Sequence, residues 1–521
     1  MSSSDHPTID IDSGKLRGAR ANGITSFKGV PYAAPTGGLR RFQAPAAVQA
    51  WAGERDATRL GQRCMQEREN FGDPPVLAWY AQTEPFGEDC CVLNVYTPAC
   101  DGARRPVMVY IHGGGYVTGG GGGAVLDGSA LAGFGDVVVV TLNHRLNVFG
   151  YLNLGFMDAE QFGDAANAGQ LDLIAALQWV QRNIARFGGD PGSVTLFGQS
   201  GGGSKIMVLM GMPAARGLFH RAIDMSGASG LSVAPAQAME PYVAEFLRVL
   251  GVDKSDLRRL QQLPAEQLIQ ARLAALQARR EGCRPVVDGR HVLGGPMSPQ
   301  GLPQHATVPL LMGTTKNEAT FYFAGDIRQM QLSHAQLKAR VQAQFGLADA
   351  ATEALIDAFR QDEPARTPSD VLVALISNTL FRVPILRGAE AKAAQQQAPV
   401  YVYNFTWQAP VDGGVWGAPH AADIPFAFGT TDQARALVGS GPEPGQVSRH
   451  LMSAFVAFAR SGNPNNPSMP PWEPFNAQTR TTMTVDRECV AVQDYLPGDR
   501  IAASELQLDT FNRDALMTYR P

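Results

Sequence analysis

Four strand-forming residues, Val194-Thr195-Leu196-Phe197, run directly into Gly198-Gln199-Ser200-Gly201-Gly202. β-Branched and aromatic residues favour a buried, pleated strand, and flanking glycines let the backbone bend sharply after it. Residues 204–210 then suit a helix. A strand, a tight bend and a helix in that order restrict the chain to few folds. The same order lifts the Ser200 hydroxyl above a sheet, while the helix N-terminus aims amides at any anion formed there. A Gly-rich turn joining strand to helix would read alike, and the chain holds 56 glycines. The motif therefore needs partners elsewhere: a base, an acid and an oxyanion hole.

Upstream, Asp190-Pro191-Gly192 breaks the chain before this strand. Residues 106–111 form a continuous apolar strand, consistent with burial on both faces, and open into His112-Gly113-Gly114-Gly115-Tyr116. Residues 137–142 form the next strand. Residues 171–186 have helical periodicity, and 221–226 make another strand. Strand and helix alternate, which predicts a mostly parallel central sheet flanked by helices. Residues 9–11 and 15–17 predict a hairpin around Ser13-Gly14, and residues 27–35 an extended loop shaped by prolines. Residues 233–281 and 333–396 read as helical insertions. Residues 308–312 and 400–405 are further core strands, and residues 447–460 a helix. No internal repeat or long linker divides the 521 residues. They read as a single catalytic unit, 1–521, with its core at about 8–500.

A chain with 45% apolar and 18% charged residues has ample material for a core, and its net charge of -4 leaves no basic footprint for nucleic acid. No apolar run approaches a membrane span. The N-terminus, Met-Ser-Ser-Ser-Asp-His-Pro-Thr, lacks the charged and apolar regions of a signal peptide. A cytoplasmic protein is expected, or a secreted one if a leader has been removed. Cys64, Cys90, Cys91, Cys100, Cys283 and Cys489 have no zinc-site spacing. Spacing alone selects no disulfide pairing. No metal or cofactor is implied.

Acyl transfer needs a nucleophile, a base, an acid to orient that base, and donors for the oxyanion. The chain offers Ser200, Glu318 and His420 in the order nucleophile, acid, base, each just beyond a strand. The Gly113-Gly114-Gly115 triplet follows an earlier strand, where an oxyanion loop belongs. Taken singly, Glu318 could be a surface carboxylate and His420 a loop histidine.

Further motifs are Phe27-Lys-Gly-Val-Pro-Tyr-Ala, Arg41-Phe42 with Pro45 and Trp51, and Glu88-Asp-Cys-Cys-Val-Leu-Asn-Val-Tyr-Thr-Pro98. Others are Pro285-Val-Val-Asp-Gly289 and the run Phe187-Gly-Gly-Asp-Pro leading to Phe197-Gly-x-Ser-x-Gly-Gly203. With these the chain resembles the type-B carboxylesterase and cholinesterase family over nearly its whole length. The resemblance implies an α/β-hydrolase fold with helical insertions around an active-site gorge. It implies a serine carboxylesterase in which Ser200 forms the acyl-enzyme, Glu318 orients the base, and His420 is base and acid. Gly114, Gly115 and Gly201 would supply the oxyanion amides, with Gly113, Tyr116, Gln199 and Ser226 around them. The partner implied is a small-molecule ester; oligomeric state is left open. A hydrolase of carbamates or amides would use the same residues. Family members that serve as binding proteins lack the triad, whereas all three positions are filled here.

The resemblance also places Cys64 and Cys90 at a family disulfide, which a reducing compartment would leave as thiols. Trp79 lies within that loop. Gln199 and Gly201 replace the family's usual Glu and Ala. Loss of the Glu charge argues against a cationic choline substrate, and Gly201 is expected to loosen the backbone. Asp423 replaces a usual Glu. A three-glycine oxyanion loop implies room for bulky alcohols, including tertiary ones. The glycine run 119–123 is expected to be a flexible surface loop that could gate entry beside Tyr116.

Overall fold

The computed structural model describes residues 6–67, 75–231, 233–279 and 282–506. Residues 1–5, part of the N-terminus that reads as lacking a signal peptide, and residues 280–281 of the first helical insertion lie outside the described residues. The chain groups into two compact units. One comprises Met1–Glu69, Gln82–Pro309 and Ala459–Gly462, the other Asn70–Ala81, Leu310–Phe458 and Asn463–Pro521.

The first unit holds strands β1 (Ala19–Ala21), β2 (Ile24–Pro31), β3 (Val92–Thr97), β4 (Arg105–Ile111), β5 (Val138–Leu142), β6 (Gly189–Gln199) and β7 (Arg221–Met225). They lie in the order β7-β6-β4-β5-β3-β2-β1. The pairs among β7, β6, β4 and β5 are parallel; those among β5, β3, β2 and β1 are antiparallel. The apolar runs explain the parallel part. Val107, Met108, Val109 and Val138, Val139, Val140 are all fully buried, as strands covered on both faces must be. Helices α1 (Ala168–Asn183) and α2 (Gly201–Met210) precede and follow β6.

Two local expectations change. Residues 27–31, expected as loop, end β2 and pair with β3 across an irregularity between Phe27 and Val30. Pro31 fits there because it closes the strand, where a missing N–H is tolerated. Asp190-Pro191-Gly192 does not stand before β6 but is absorbed as a register shift between Gly189 and Val194. The N-terminal hairpin forms as expected, Thr8–Ile11 against Gly14–Arg17.

The first helical insertion contains helices Glu240–Leu250 and Ala265–Arg279. Tyr242, Phe246 and Leu268 pack with Tyr151, Leu152 and Phe162 in one buried cluster, and Tyr116 leans on its edge. Each such side chain contributes roughly 1.5–3 kcal/mol of burial. Cys64 and Cys90 lie buried in the same cluster, drawn as thiols. The Cys64 sulfur accepts the Leu146 N–H at 3.3 Å.

The second unit carries β8 (Leu310–Thr315), β9 (Val400–Phe405), β10 (Thr482–Val485) and β11 (Val490–Val492). β8, β9 and β10 run parallel and β11 turns back. The second insertion holds helices His334–Phe345, Asp349–Ala358, Pro368–Ser377 and Val383–Ala394, the last two joined by a π-turn at Asn378–Arg382. Thr367 and Asp370 cap the third reciprocally. Against expectation, residues 368–394 are apolar and long enough for a membrane span by length and composition. However, 78% of the most apolar window is buried inside the protein, the pattern of a core helix. Trp79 is buried, edge-on to Tyr80 at 5.3 Å.

Candidate active site

β6 delivers the chain to Ser200, whose φ of 56° and ψ of -123° are unusual for a residue with a side chain. Such a conformation costs on the order of 1–3 kcal/mol and persists only when its surroundings enforce it. Here the Ser200 N–H donates to the Met225 carbonyl at 2.7 Å, and the Ser200 carbonyl accepts the Ser204 N–H at 2.9 Å. The first bond ties the bend to the end of β7; the second starts α2. Ser226, directly after β7, is buried and also has positive φ, 58°. Gln199 is fully buried beneath the bend.

Gly201 has a stricter role than loosening the backbone. A Cβ there would lie 2.2 Å from the Gly115 carbonyl oxygen and 2.5 Å from the Gly115 nitrogen. No real Cβ sits that close to backbone. The glycine thus lets the loop after β4 press against the first turn of α2.

The carbonyls of that loop are nearly all engaged. Lys205 Nζ donates to the His112 carbonyl at 3.0 Å. The Gly113 carbonyl lies 2.9 Å from His112 Nδ1, so that nitrogen carries the proton. The Gly114 carbonyl accepts the N–H groups of Val117 and Thr118 at 3.2 and 3.1 Å, and the Tyr116 carbonyl accepts the Asn147 N–H at 2.7 Å. Fixing a carbonyl fixes the amide across the same planar peptide. The orientations of the Gly114 and Gly115 N–H groups are therefore set from behind.

The glycine run 119–123 is not a surface loop. Most of it is buried. Gln66, Asn143 and Glu84 side chains accept the N–H groups of Gly119, Gly121 and Gly122 at 2.7, 2.6 and 2.7 Å. A Cβ at Gly119 would stand 2.4 Å from His112 Nδ1. Glycine serves here for close approach, packing the segment under the His112–Tyr116 loop. Next to it, the buried Arg145 guanidinium forks onto Asp172 at 2.6 and 2.8 Å, locking the end of β5 to α1. Breaking such a buried pair costs roughly 3–5 kcal/mol.

Glu318 and His420 lie in the second unit. Glu318 follows β8, is fully buried, and accepts the Thr315 N–H on Oε1 at 2.8 Å. Its Oε2 accepts a short hydrogen bond from His420 Nδ1. Asn317 braces the two loops: its N–H donates to the Ala418 carbonyl and its Oδ1 accepts the Ala418 N–H, each at 3.0 Å. Three aromatic rings surround the imidazole. Phe381 lies 4.9 Å from it, Phe321 5.7 Å edge-on, and Tyr322 5.8 Å in a stacked pose. Phe381 comes from the π-turn, and π-turns often mark functional positions. Neither the Asn317 brace nor the Phe381 ring is legible from sequence pattern. A brace between two distant loops and a short π-turn leave no periodic trace.

Asp423 is also fully buried, with Tyr403 Oη donating to Oδ2 at 2.8 Å. Burial, aided by the Glu318 charge, pushes its carboxyl up to about 7. The folded state holds this proton to higher pH than the unfolded chain, whose carboxyl titrates near 3.8. Asp423 therefore weakens the fold progressively as pH rises from 3.8 to about 7, and fully above that. Asp423→Asn should melt above the wild type, by an advantage that grows between pH 5 and pH 8 toward, at most, about 4 kcal/mol. Melting curves at the two pH values check this; an advantage that does not grow would refute it.

A serine on a strand–helix elbow, a glycine loop with fixed amides, and a buried carboxylate–imidazole pair define a protein of the α/β-hydrolase class. Residues 5–503 match the carboxylesterase family. The chain is 35% identical to para-nitrobenzyl esterase of Bacillus subtilis (strain 168) over 94% of its length and 96% of that protein. It is 33% identical to phenmedipham hydrolase of Pseudarthrobacter oxydans, covering 96% of the chain and 99% of the relative. The crystal structure of a Geobacillus stearothermophilus carboxylesterase superposes with a TM-score of 0.82 at 34% identity, covering 95% of this chain and 99% of that one. The chain belongs to the carboxylesterase family: it is a carboxylic ester hydrolase with the α/β-hydrolase fold.

Proposed function

We propose that the chain hydrolyses small-molecule carboxylic esters through an acyl-enzyme on Ser200. His420 Nε2 takes the Ser200 proton as Oγ attacks the ester carbonyl. The tetrahedral oxyanion accepts the amides of Gly114, Gly115 and Gly201. His420 then protonates the leaving alcohol, and water repeats the sequence to release the acid. Glu318 keeps the proton of the resting imidazole on Nδ1 and stabilises the imidazolium that forms. The observation that carries this reading is the strained bend at Ser200. It is held by Met225 and Ser204, a cost that packing alone does not require.

The uncharged Gln199 supports neutral rather than cationic substrates. The three-glycine loop supports esters of bulky alcohols. The test is turnover of p-nitrophenyl acetate, butyrate, octanoate and palmitate, with tert-butyl acetate as the tertiary-alcohol probe, alongside stoichiometric labelling by a fluorophosphonate. Turnover with labelling at Ser200 is expected. A folded protein that neither turns over these esters nor takes the label would defeat the proposal.

A further inference from the structure

We infer that Lys205 is a positioning residue of this reaction: from α2 its ammonium grips the carbonyl of His112 and so sets the oxyanion loop. The inference rests on the esterase reading above. Lys205 is fully buried, five residues beyond Ser200. Its Nζ makes one hydrogen bond among the described residues, the 3.0 Å contact to the His112 carbonyl. It also lies 6.0 Å from the centre of the Tyr116 ring. Both partners belong to the His112–Tyr116 loop. No carboxylate pairs with it among the described residues, and burial alone draws it down to about 7.

A buried ammonium without a counter-ion is a costly way to fill space. A methionine of similar shape would fill it without the desolvation penalty. The chain keeps the charge at the one place where it can act on the loop that is proposed to hold the oxyanion. Two physical links carry that action. First, an ammonium on the His112 carbonyl fixes and polarises the peptide that carries the Gly113 N–H. Second, Lys205 holds the adjoining imidazole in the form the loop needs. His112 donates Nδ1–H to the Gly113 carbonyl at 2.9 Å, which sets the plane of the Gly114 amide. The His112 ring stacks on His144 at 4.8 Å, and His144 in turn donates Nδ1–H to the Arg145 carbonyl at 2.9 Å. Burial, then the Lys205 charge, push both imidazoles well below their ordinary range. They stay neutral with their protons on Nδ1.

The groups around Lys205 separate its titration from theirs. His112 and His144 remain neutral, and burial raises the Tyr116 phenol. The nearby charges are Arg63 and Arg145 beside the imidazoles and Arg284 and Asp224 beside the phenol. The lysine, at about 7, changes charge between pH 6 and 8, where His112 and His144 stay neutral and the Tyr116 phenol keeps its proton.

The test compares Lys205→Met with the wild type on p-nitrophenyl butyrate from pH 6 to 9, with melting curves alongside. Dividing the two kcat profiles cancels every titration that both share. The expected result is a kcat roughly 10–100-fold lower at pH 6.5, below the roughly 10²–10³-fold that removing an oxyanion donor outright costs. KM should change little, and the melting temperature at pH 6.5 should be unchanged or higher. The kcat gap should narrow as pH climbs through about 7 and the wild-type lysine loses its charge. Equal kcat values at pH 6.5, or a gap constant across pH, would overturn the inference while leaving the esterase reading intact. So would a variant that does not fold or melts well below the wild type, which would mark Lys205 as structural. A wild type without esterase turnover would remove both.

Discussion

Ser200→Ala is expected to lower kcat/KM on p-nitrophenyl esters by roughly 10⁴–10⁶-fold while the protein stays folded. The size follows from what is lost. On the proposed mechanism no acyl-enzyme forms without Oγ, and the remaining groups can only activate water against an ester held by the glycine loop. That residue of catalysis is worth roughly 10³–10⁴ over solution, not the full acceleration. Fluorophosphonate labelling should vanish together with turnover. The alanine keeps a Cβ and hence the strain at φ 56°; Ser200→Gly would remove both hydroxyl and strain. The glycine variant should be as inactive as the alanine one, yet more stable by about 1–3 kcal/mol. Steady-state kinetics with thermal melts reads both effects. Retention of even a hundredth of wild-type activity in Ser200→Ala would place the nucleophile elsewhere.

The parallel half of the fold was legible because its signal is local. A run such as residues 106–111 has nowhere to go but a strand covered on both sides, and a strand–glycine–serine–glycine–helix passage has one usual geometry. The order of Ser200, Glu318 and His420 could be read for the same reason: each sits just past a strand that composition reveals. Their roles came from resemblance, since neither Glu318 nor His420 is distinctive alone. What escaped was set by close approach between distant segments. Residues 119–123 look like a floppy loop to any rule that counts glycines. They are buried because Gln66, Glu84 and Asn143, far apart in sequence, supply the acceptors that their N–H groups need. Gly201 looked like added freedom and is instead a steric requirement imposed by Gly115. Lys205 looked like an ordinary helix residue; only its position against the His112 carbonyl gives its charge meaning. In each case the deciding contact joins segments that no local pattern connects.

Glu318→Gln should cut kcat by roughly 10³–10⁴-fold with little change in KM. The argument is one of hydrogen-bond parity. Glu318 accepts the Thr315 N–H on Oε1 and the His420 Nδ1–H on Oε2. A glutamine at this buried site has one acceptor oxygen and one donor NH₂. If the oxygen faces Thr315, the NH₂ faces His420 Nδ1, which must then give up its proton and accept. The imidazole switches tautomer, Nε2 carries the hydrogen, and it can no longer take one from Ser200. If the amide flips, His420 keeps the right tautomer but the NH₂ meets the Thr315 N–H, leaving a buried donor unsatisfied at a cost of about 1–3 kcal/mol. Neither orientation offers a negative charge to the imidazolium in the transition state. The loss therefore falls on kcat, where that charge matters, and not on ester binding. Glu318→Asp keeps the charge but shortens the reach by one methylene, and should lie between the two. Stopped-time kinetics on p-nitrophenyl butyrate, with melting curves to confirm folding, distinguishes these outcomes. A Glu318→Gln enzyme within tenfold of wild-type kcat would show that His420 is oriented by another group. Asp423, the other buried carboxyl near this pair, would be the first to substitute next.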